Sequence, residues 1–442
     1  MPELPGNALI VFVSDSHIGG DPGCDGFESP VELAALFEEL AALDRPVELV
    51  LAGDFFDFLQ IGEVPDGENR ASLTMSRGEY LDLFAALKGF RSGEGKRVIY
   101  LPGNHDAEVW WNPGIQDTLR EAGMVDEFAY SYLASMEVGG GRRLVYCEHG
   151  NQLDAANTVE DYSDRLDTPL GHHVVMDFTR RVAPYGEVSP GLDLSEIKMV
   201  YPLVAIPGWV AGRYFYDFVR KVAAFLLLPL LVAYALYRVA AYLVFSDGLP
   251  LIHELFLDIG IFGLFTVALF AVFFLAVRHV VRRTVNAISP GGTRQKTRPS
   301  PAEASRVKVR GILAGESRPP MSPSLDPSTV DVFVSGHTHL PYLEEVERPE
   351  GRRCVAVNSG CYLRQLHPVR PRVKGPPVFV SRFVLTHVRV HAVDGALRVE
   401  LWEQPKPARQ RLGRIERLLS YGRRPSQPAP GSAPCVRASS TL

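Results

Sequence analysis

Short apolar runs alternate with amphipathic segments over the first third of the chain. Residues 8–15, 47–54 and 96–106 each contain a short run of apolar residues, which is typical of buried strands. Residues 29–43 and 79–90 instead place apolar side chains three or four positions apart, which predicts helices between these strands. Strands and helices that alternate in this way predict an α/β fold built from βαβ units.

Strand-like patterns occur again at 142–151 and in the last third of the chain. There they cover residues 329–339, 353–360 and 383–403, and the last of these is typical of a hairpin. Residues 405–442 are rich in Pro, Arg and Ser, so we expect a disordered tail.

Two long apolar segments, 222–245 and 255–277, interrupt the α/β pattern. Each is long enough to cross a hydrocarbon core of about 30 Å, and apolar residues cover all faces of the helices. We therefore expect a transmembrane hairpin rather than two core helices of a soluble domain. Within the segments only Arg238 and Asp258 are charged. Arg238 could extend to the interface, pair with Asp258 or line a functional path.

The charges that flank the hairpin predict its orientation. Basic residues precede the first segment and follow the second, whereas the loop 246–254 contains no Lys or Arg. These basic residues are Arg213, Arg220, Lys221, Arg278, Arg282 and Arg283. The positive-inside rule then predicts a multi-pass cell-membrane protein with both ends in the cytoplasm.

These patterns divide the chain into five parts. We expect residues 1–200 and 329–404 to form one domain, with residues 201–283 inserted as the hairpin. Residues 284–328 are basic and rich in Pro and Ser, and we expect a linker in which a helix over 301–313 is possible. This linker could contact anionic lipid headgroups or serve only as a solvated tether. The tail, 405–442, completes the division.

Composition and charge indicate the cellular compartment and the class of partner. A net charge of -5 and a pI near 6.2 give no sign of a nucleic-acid partner, and we expect none. The five cysteines are scattered without a CxxC pair, which is typical of reduced thiols in the cytosol. The first apolar run, 8–13, is short and lacks a basic leader, so we expect no secretory signal.

Polar motifs follow the predicted strands in series. They are Asp15-Ser16-His17, the GDFFD motif at 53–57, the GNHD motif at 103–106, His149 in EHGN, and the GHTH motif at 336–339. Sites in α/β proteins form at the carboxyl ends of strands, so we expect these side chains to converge. Residues two apart on an extended backbone point the same way, which would bring Asp15 and His17 to one ion. Imidazole, carboxylate and amide ligands together suit manganese, iron or zinc.

The series DxH, GDxxD, GNHD, a single His and GHxH resembles the calcineurin-like metallophosphoesterase superfamily. The resemblance covers roughly residues 8–151 and 329–403, and the hairpin is an insertion between the fourth and fifth motifs. It implies an α/β/β/α sandwich around two divalent metal ions, with manganese expected and iron or zinc as alternatives.

The resemblance also implies a role for each matching residue. It assigns Asp15, His17 and His339 to the first metal, Asp54 to a bridging position, and Asn104, His149 and His337 to the second metal. It makes His105 and Asp106 the catalytic pair, in which the carboxylate orients the imidazole beside the phosphate. His172 and His173 compete with His149 for the fourth motif; we prefer His149 because it ends a β-rich run.

The resemblance implies a metal-dependent phosphoric ester hydrolase that attacks its substrate with metal-activated hydroxide. Because a membrane hairpin would hold the site near lipid headgroups, we expect a lipid-linked phosphoester or pyrophosphate. One alternative is a soluble phosphodiester or nucleotide, with the hairpin serving only to localise the enzyme. The other is a non-catalytic membrane scaffold with the same fold.

Overall fold

The computed structural model describes residues 3–182, 185–189, 192–222, 228–245, 252–288, 300–348, 351–373 and 375–442. Its strands are β1 (Glu3–Leu4), β2 (Leu9–Val13), β3 (Val47–Ala52), β4 (Lys96–Leu101), β5 (Glu127–Phe128), β6 (Tyr132–Val138), β7 (Gly141–Cys147), β8 (Glu187–Ser189), β9 (Leu192–Asp193), β10 (Val332–Ser335), β11 (Tyr342–Glu347), β12 (Arg353–Asn358), β13 (Tyr362–Val369), β14 (Val378–Val393), β15 (Ala396–Glu403) and β16 (Cys435–Thr441). Its helices are α1 (Pro30–Ala41), α2 (Arg70–Met75), α3 (Leu81–Arg91), α4 (Glu108–Trp111), α5 (Pro113–Glu121), α6 (Leu170–His173), α7 (Arg180–Val182), α8 (Ile206–Val222), α9 (Leu228–Phe245), α10 (Ile252–Ile288), α11 (Pro301–Leu313) and α12 (Arg414–Leu419).

Two mixed sheets pack face to face. The first has the order β16-β15-β14-β2-β3-β4-β5, with β13 paired to β14, and the second has the order β1-β6-β7-β10-β12-β11. Leu9 and Val11 belong to a core shared with α1 and α3, whereas Ile10 and Phe12 face the second sheet. Helix α11 covers the outer surface of that sheet. The layers are therefore helix, sheet, sheet and helix, in agreement with the α/β prediction.

The two apolar segments are helical where the structure describes them, as α9 and α10; residues 223–227 and 246–251 lie outside the described residues. One window, Phe256–Phe273 in α10, is long and apolar enough to cross a membrane, and 6% of it is buried in the protein. The apolar part of α9, Leu228–Val244, is shorter. Arg238 pairs with Asp258 at 2.5 Å, which links the two helices. The transmembrane hairpin itself stays a prediction.

Part of the predicted linker belongs to the folded domain. Residues 289–299 lie outside the described residues, but Ser300 and Glu303 cap α11 reciprocally, and that helix is well formed. Val309 and Ile312 of α11 pack on the second sheet. A solvated tether is therefore wrong for residues 300–328, because the apolar positions three apart form one buried helix face.

The disordered tail predicted for residues 405–442 is also wrong. Strand β16 pairs antiparallel with β15, and α12 lies between the two strands in the chain. Ala438 packs against the core between the sheets, and Ser440 Oγ donates a hydrogen bond to Glu345 Oε1 at 2.7 Å. An edge strand needs few apolar residues, so its composition resembles that of a disordered segment.

A buried ionic cluster fixes α8 to the domain. Arg213 Nη2 donates to Glu196 at 2.8 Å and Nη1 donates to Glu416 at 3.2 Å, and each side chain is at most 7% exposed. Phe215 and Val219 of the same helix pack beside β14. The predicted insertion at 201–283 therefore begins with a helix that is part of the domain, and α8 joins that domain to α10.

We expect Arg213→Met to lower the free energy of unfolding by ~3–5 kcal/mol, because Glu416 would stay buried without its cation. Glu196 would keep only longer contacts, such as that with Arg364 at 3.6 Å. Thermal and urea unfolding of the purified full chain in detergent would measure the change. Arg417→Met is the matched control, since Arg417 is exposed on α12. Equal stability of the two variants would contradict this role for the cluster.

Candidate active site

The predicted ligands converge at one edge of the two facing sheets. Strands β2, β3 and β4 are parallel in the first sheet, as are β7 and β10 in the second, so polar residues after them lie at corresponding carboxyl ends. Three groups of side chains form there, each with ligand atoms within 4.8 Å of one another. The groups are Asp15, His17 and His339; His17, Asp54 and His105; and Asp54, His149 and His337.

Asp54 lies between the two ends of this cluster. Its Oδ2 is 3.8 Å from His17 Nε2 on one side and 3.2 Å from His149 Nε2 on the other. His339 Nε2 lies 3.1 Å from both Asp15 Oδ1 and His17 Nε2. A carboxylate between two sets of nitrogen and oxygen ligands is in the position that a bridging ligand requires.

Contacts made by one ring nitrogen orient two of the histidines. His149 Nδ1 lies 2.9 Å from the carbonyl oxygen of Ala52, which leaves Nε2 directed at Asp54. His337 Nε2 lies 3.2 Å from Asp154 Oδ2, and the hydrogen bond from His337 lowers the pKa of Asp154. Asp154 therefore helps to orient His337, although the sequence motifs did not indicate this residue.

Unpaired buried atoms show that the residues fit a metal. Asp15 Oδ1, Asn104 Oδ1 and His149 Nε2 are all buried without an aligned hydrogen-bond partner among the described residues. Such atoms are costly unless something satisfies them. Divalent cations accept this donor set of carboxylate, amide oxygen and imidazole, and each of the three atoms belongs to a predicted ligand.

The backbone at the site is in the left-handed region, which non-glycine residues rarely adopt. Positive φ values occur at six non-glycine residues that the structure describes: Asp15, His17, Asp54, His337, His339 and Asp394. All but Asp394 are predicted ligands, with φ between 49° and 65°. Backbone strain of this kind is found at functional sites. Asp15 and His17 therefore do converge, but through left-handed turns and not through the extended backbone expected from the sequence.

Three glycines leave the space that these ligands occupy. A Cβ atom at Gly53 would lie 2.6 Å from the His149 ring, and one at Gly103 would lie 2.1 Å from Asp54 Oδ1. A Cβ at Gly336 would lie 2.5 Å from Asp15 Oδ2. The backbone at these glycines therefore approaches the ligands too closely for a side chain at any of the three positions.

Buried carboxylates and imidazoles shift one another's protonation. Burial acts to raise the pKa of Asp54, but the charges of His149, His105 and His17 hold it well below its ordinary value. Burial acts to lower the pKa of His149, yet Asp54 and Asp15 raise it to about 10. The negative charges of Asp15 and Asp54 therefore favour a positive charge beside Asp54.

Asp57, and not Asp106, orients the His105 ring. His105 Nδ1 lies 2.9 Å from Asp57 Oδ1, which fixes the ring through that nitrogen and leaves Nε2 without this partner. Asp106 accepts hydrogen bonds from the Tyr100 hydroxyl and from the backbone N–H groups of Phe55 and Gly103. Among the described contacts none joins Asp106 to the imidazole. The described contacts therefore pair His105 with Asp57, where the sequence led us to expect Asp106.

The raised pKa of His105 reflects the same arrangement. Burial acts to lower it, but the negative charges of Asp57 and Asp54 raise the pKa of His105 to about 9. Burial raises the pKa of Asp106 to about 6, which fits a carboxyl group that holds loop backbone instead of pairing with a cation. His105 can thus keep a proton near neutral pH.

A cavity of about 530 Å³ opens beside His105. Its lining includes the apolar side chains of Phe58, Trp111 and Met176 as well as the polar side chains of Arg70 and His172. His172 therefore lies at the cavity, while His149 occupies the position next to Asp54 that His172 and His173 could have taken. Cys361 is a buried thiol.

Comparison with protein families gives a match that starts at β2. Residues 8–183 match the family model for calcineurin-like phosphoesterase. Together with the His and Asp groups, the match indicates a metal-dependent phosphoesterase. A comparison with curated proteins found no match. His337 and His339 lie beyond the matched residues. They follow β10, which brings them to the same cluster of side chains.

Sequence reasoning missed Asp57 and Asp154. Asp57 was visible as the last residue of the GDFFD motif, but its partner His105 is 48 positions away and only the fold pairs them. Asp154 follows the EHGN motif without a pattern of its own.

We expect Gly103→Ala to lower kcat by about 100-fold and to reduce bound metal, because its methyl group would displace Asp54. Phosphodiester hydrolysis and metal content per chain would be measured together. Gly89→Ala on α3 is the control, since no atom described outside its helix lies within 4 Å of the added carbon. Full metal content in Gly103→Ala would contradict the tight-approach argument.

We expect Asp57→Asn to lower kcat by about 10²–10⁴-fold, the usual contribution of a positioned proton donor. Because Asp57 raises the pKa of His105, its loss should lower that pKa, and the alkaline fall of the pH–rate profile should move to lower pH. Asp106→Asn should lower thermal stability and move that limb less than Asp57→Asn does, because the charge of Asp106 raises the pKa of His105 less than Asp57 does. If the alkaline fall of the pH–rate profile moves in Asp106→Asn and not in Asp57→Asn, Asp106 would be the carboxylate that orients His105.

Proposed function

We propose that the chain is a membrane-anchored phosphoesterase that uses two divalent metal ions to hydrolyse a lipid-linked phosphoester or pyrophosphate. The observation that carries the proposal is the position of Asp54 between His17 and His149, with Asp15, His337 and His339 around them. We expect manganese, with iron or zinc as alternatives.

The predicted ligands fall into two sets. Asp15, His17 and His339 would hold one ion, and Asn104, His149 and His337 would hold the other, with Asp54 shared. Bound ions of this kind lower the pKa of water and neutralise charge on phosphoryl oxygens.

His105 would donate a proton to the leaving group. Asp57 occupies its Nδ1, so Nε2 is the nitrogen left for a substrate oxygen. Its raised pKa keeps that nitrogen protonated near neutral pH, and a protonated imidazole can donate to the oxygen that departs. The ring lies at the wall of the cavity, so the leaving group would occupy that space.

Two features support a lipid-linked substrate. The cavity combines apolar side chains such as Trp111 and Met176 with polar ones such as His172, which suits a ligand with a phosphate and an apolar portion. Helix α10 contains the apolar window Phe256–Phe273, and α8 packs against α10 as well as against the domain. The flanking basic residues favour a cytoplasmic site at the cell membrane.

We expect the manganese-loaded full chain to consume a phosphorus resonance of total membrane lipid in mixed micelles. Asp54→Asn should leave that resonance unchanged, because the amide cannot supply the shared negative charge. Asp117→Asn, an exposed substitution on α5, is the matched control and should behave as wild type.

The new resonance would identify the bond that is cut, whether a diester, a pyrophosphate or a monoester. If lipid resonances persist while a soluble aryl phosphodiester is hydrolysed, the substrate is a soluble phosphoester and the helices only localise the enzyme. If neither is hydrolysed, the chain is a scaffold.

A further inference from the structure

The cavity beside His105 is covered by one continuous helix, residues 170–182, which we call the roof helix. It comprises α6, a π-helical segment at Val174–Thr179 and α7. π-Helical turns inside α-helices are uncommon and often occur at functional sites. The family assignment and the metal cluster give this helix no role, so its faces need a separate explanation.

The inner face of the roof helix contacts the site. His172 and Met176 line the cavity. Arg180 Nη2 lies 3.5 Å from Asp21 Oδ2, and Cys24 Sγ lies 3.7 Å from the carbonyl oxygen of Arg180. These contacts hold the helix over the loop that follows Asp15 and His17.

The outer face of the roof helix is apolar and exposed. Leu170 is 67% exposed, Val174 46% and Phe178 47%, and Leu166 just before the helix is 80% exposed. The spacing of four residues places Leu170, Val174 and Phe178 in one row of the helix, which we call the outer stripe. A charged row runs beside it, in which Asp177 contacts both His173 and Arg181. The exposed surface is therefore itself amphipathic.

The segment before α8 and the roof helix are held by the same loop. Lys198 donates to the carbonyl oxygen of Asp25 at 2.6 Å, so the segment before α8 holds the same loop as Arg180. Leu203 and Tyr214 that follow are 66% and 54% exposed. Phe218 of α8 then packs against Phe273 of α10 at 5.8 Å between ring centroids. Exposed apolar residues thus occur on the roof helix, on the segment before α8 and on α8, which itself packs against α10.

We propose that the outer stripe lies in the interfacial layer of the lipid bilayer, so that the cavity opens at the level of the phosphate headgroups. The inference rests on the proposed membrane anchoring. Lipid is the occupant that the observations favour, because α8 connects the domain to the apolar helix α10 and an amphipathic outer surface flanked by charges is typical of helices that lie in the interface. A lipid-linked phosphoester would then reach His105 without leaving the membrane.

Spin labels would test this directly. In a Cys435→Ser background, which removes the exposed thiol, single labels are placed at Val174→Cys and at Phe178→Cys. Arg181→Cys on the charged row and Val31→Cys on α1 are controls, since both side chains are exposed. The full chain is reconstituted in vesicles of phosphatidylcholine and phosphatidylglycerol, and its flotation is recorded first. Power saturation then compares collisions with oxygen, which enters lipid, and with a polar nickel chelate, which does not.

We expect a ratio of oxygen to nickel collisions several-fold higher at positions 174 and 178 than at 181 and 31. If the chain floats but all four positions resemble one another, the outer stripe faces water and the inference fails while membrane anchoring stands. Protection of 174 and 178 from both reagents would mean that protein covers the stripe, which also overturns it. If the chain does not float, the anchoring fails and the inference fails with it.

Discussion

Asp15 and Asp54 place two carboxylates in the interior at the same edge of the two sheets. Such groups are unfavourable there unless positive charge stands beside them. His17, His149 and His339 supply ligand nitrogens at short distance, and the unpaired atoms around them suit cations. The left-handed backbone and the crowded glycines both follow from the need to bring these side chains together.

Two sheets that face each other meet this need, because the strands that precede these residues end at the same edge. The first sheet contributes the residues after β2, β3 and β4, and the second contributes those after β7 and β10. The same edge carries the cavity and the roof helix, so the charged cluster, the candidate proton donor His105 and the amphipathic outer surface lie in sequence from the interior outward. This order suits an enzyme that takes a charged group from a membrane surface.

Much of the site could be predicted from the sequence because strand-end motifs carry both the chemistry and the location. The partner of His105 could not, since Asp106 is adjacent in the chain while Asp57 becomes adjacent only on folding. Strand β16 escaped prediction for a related reason: its partner β15 supplies the order that its own composition lacks. The helix at 301–313 was visible as a pattern, but its burial depended on the second sheet.

The central claim is that Asp54 is shared by two metal ions. Anomalous diffraction from crystals of the manganese-loaded chain tests it most directly. The account predicts two manganese peaks about 3.5–4 Å apart, one beside Asp15 and His339 and the other beside Asn104 and His149, with Asp54 between them. A single peak, or two peaks with Asp54 bound to neither, would contradict it.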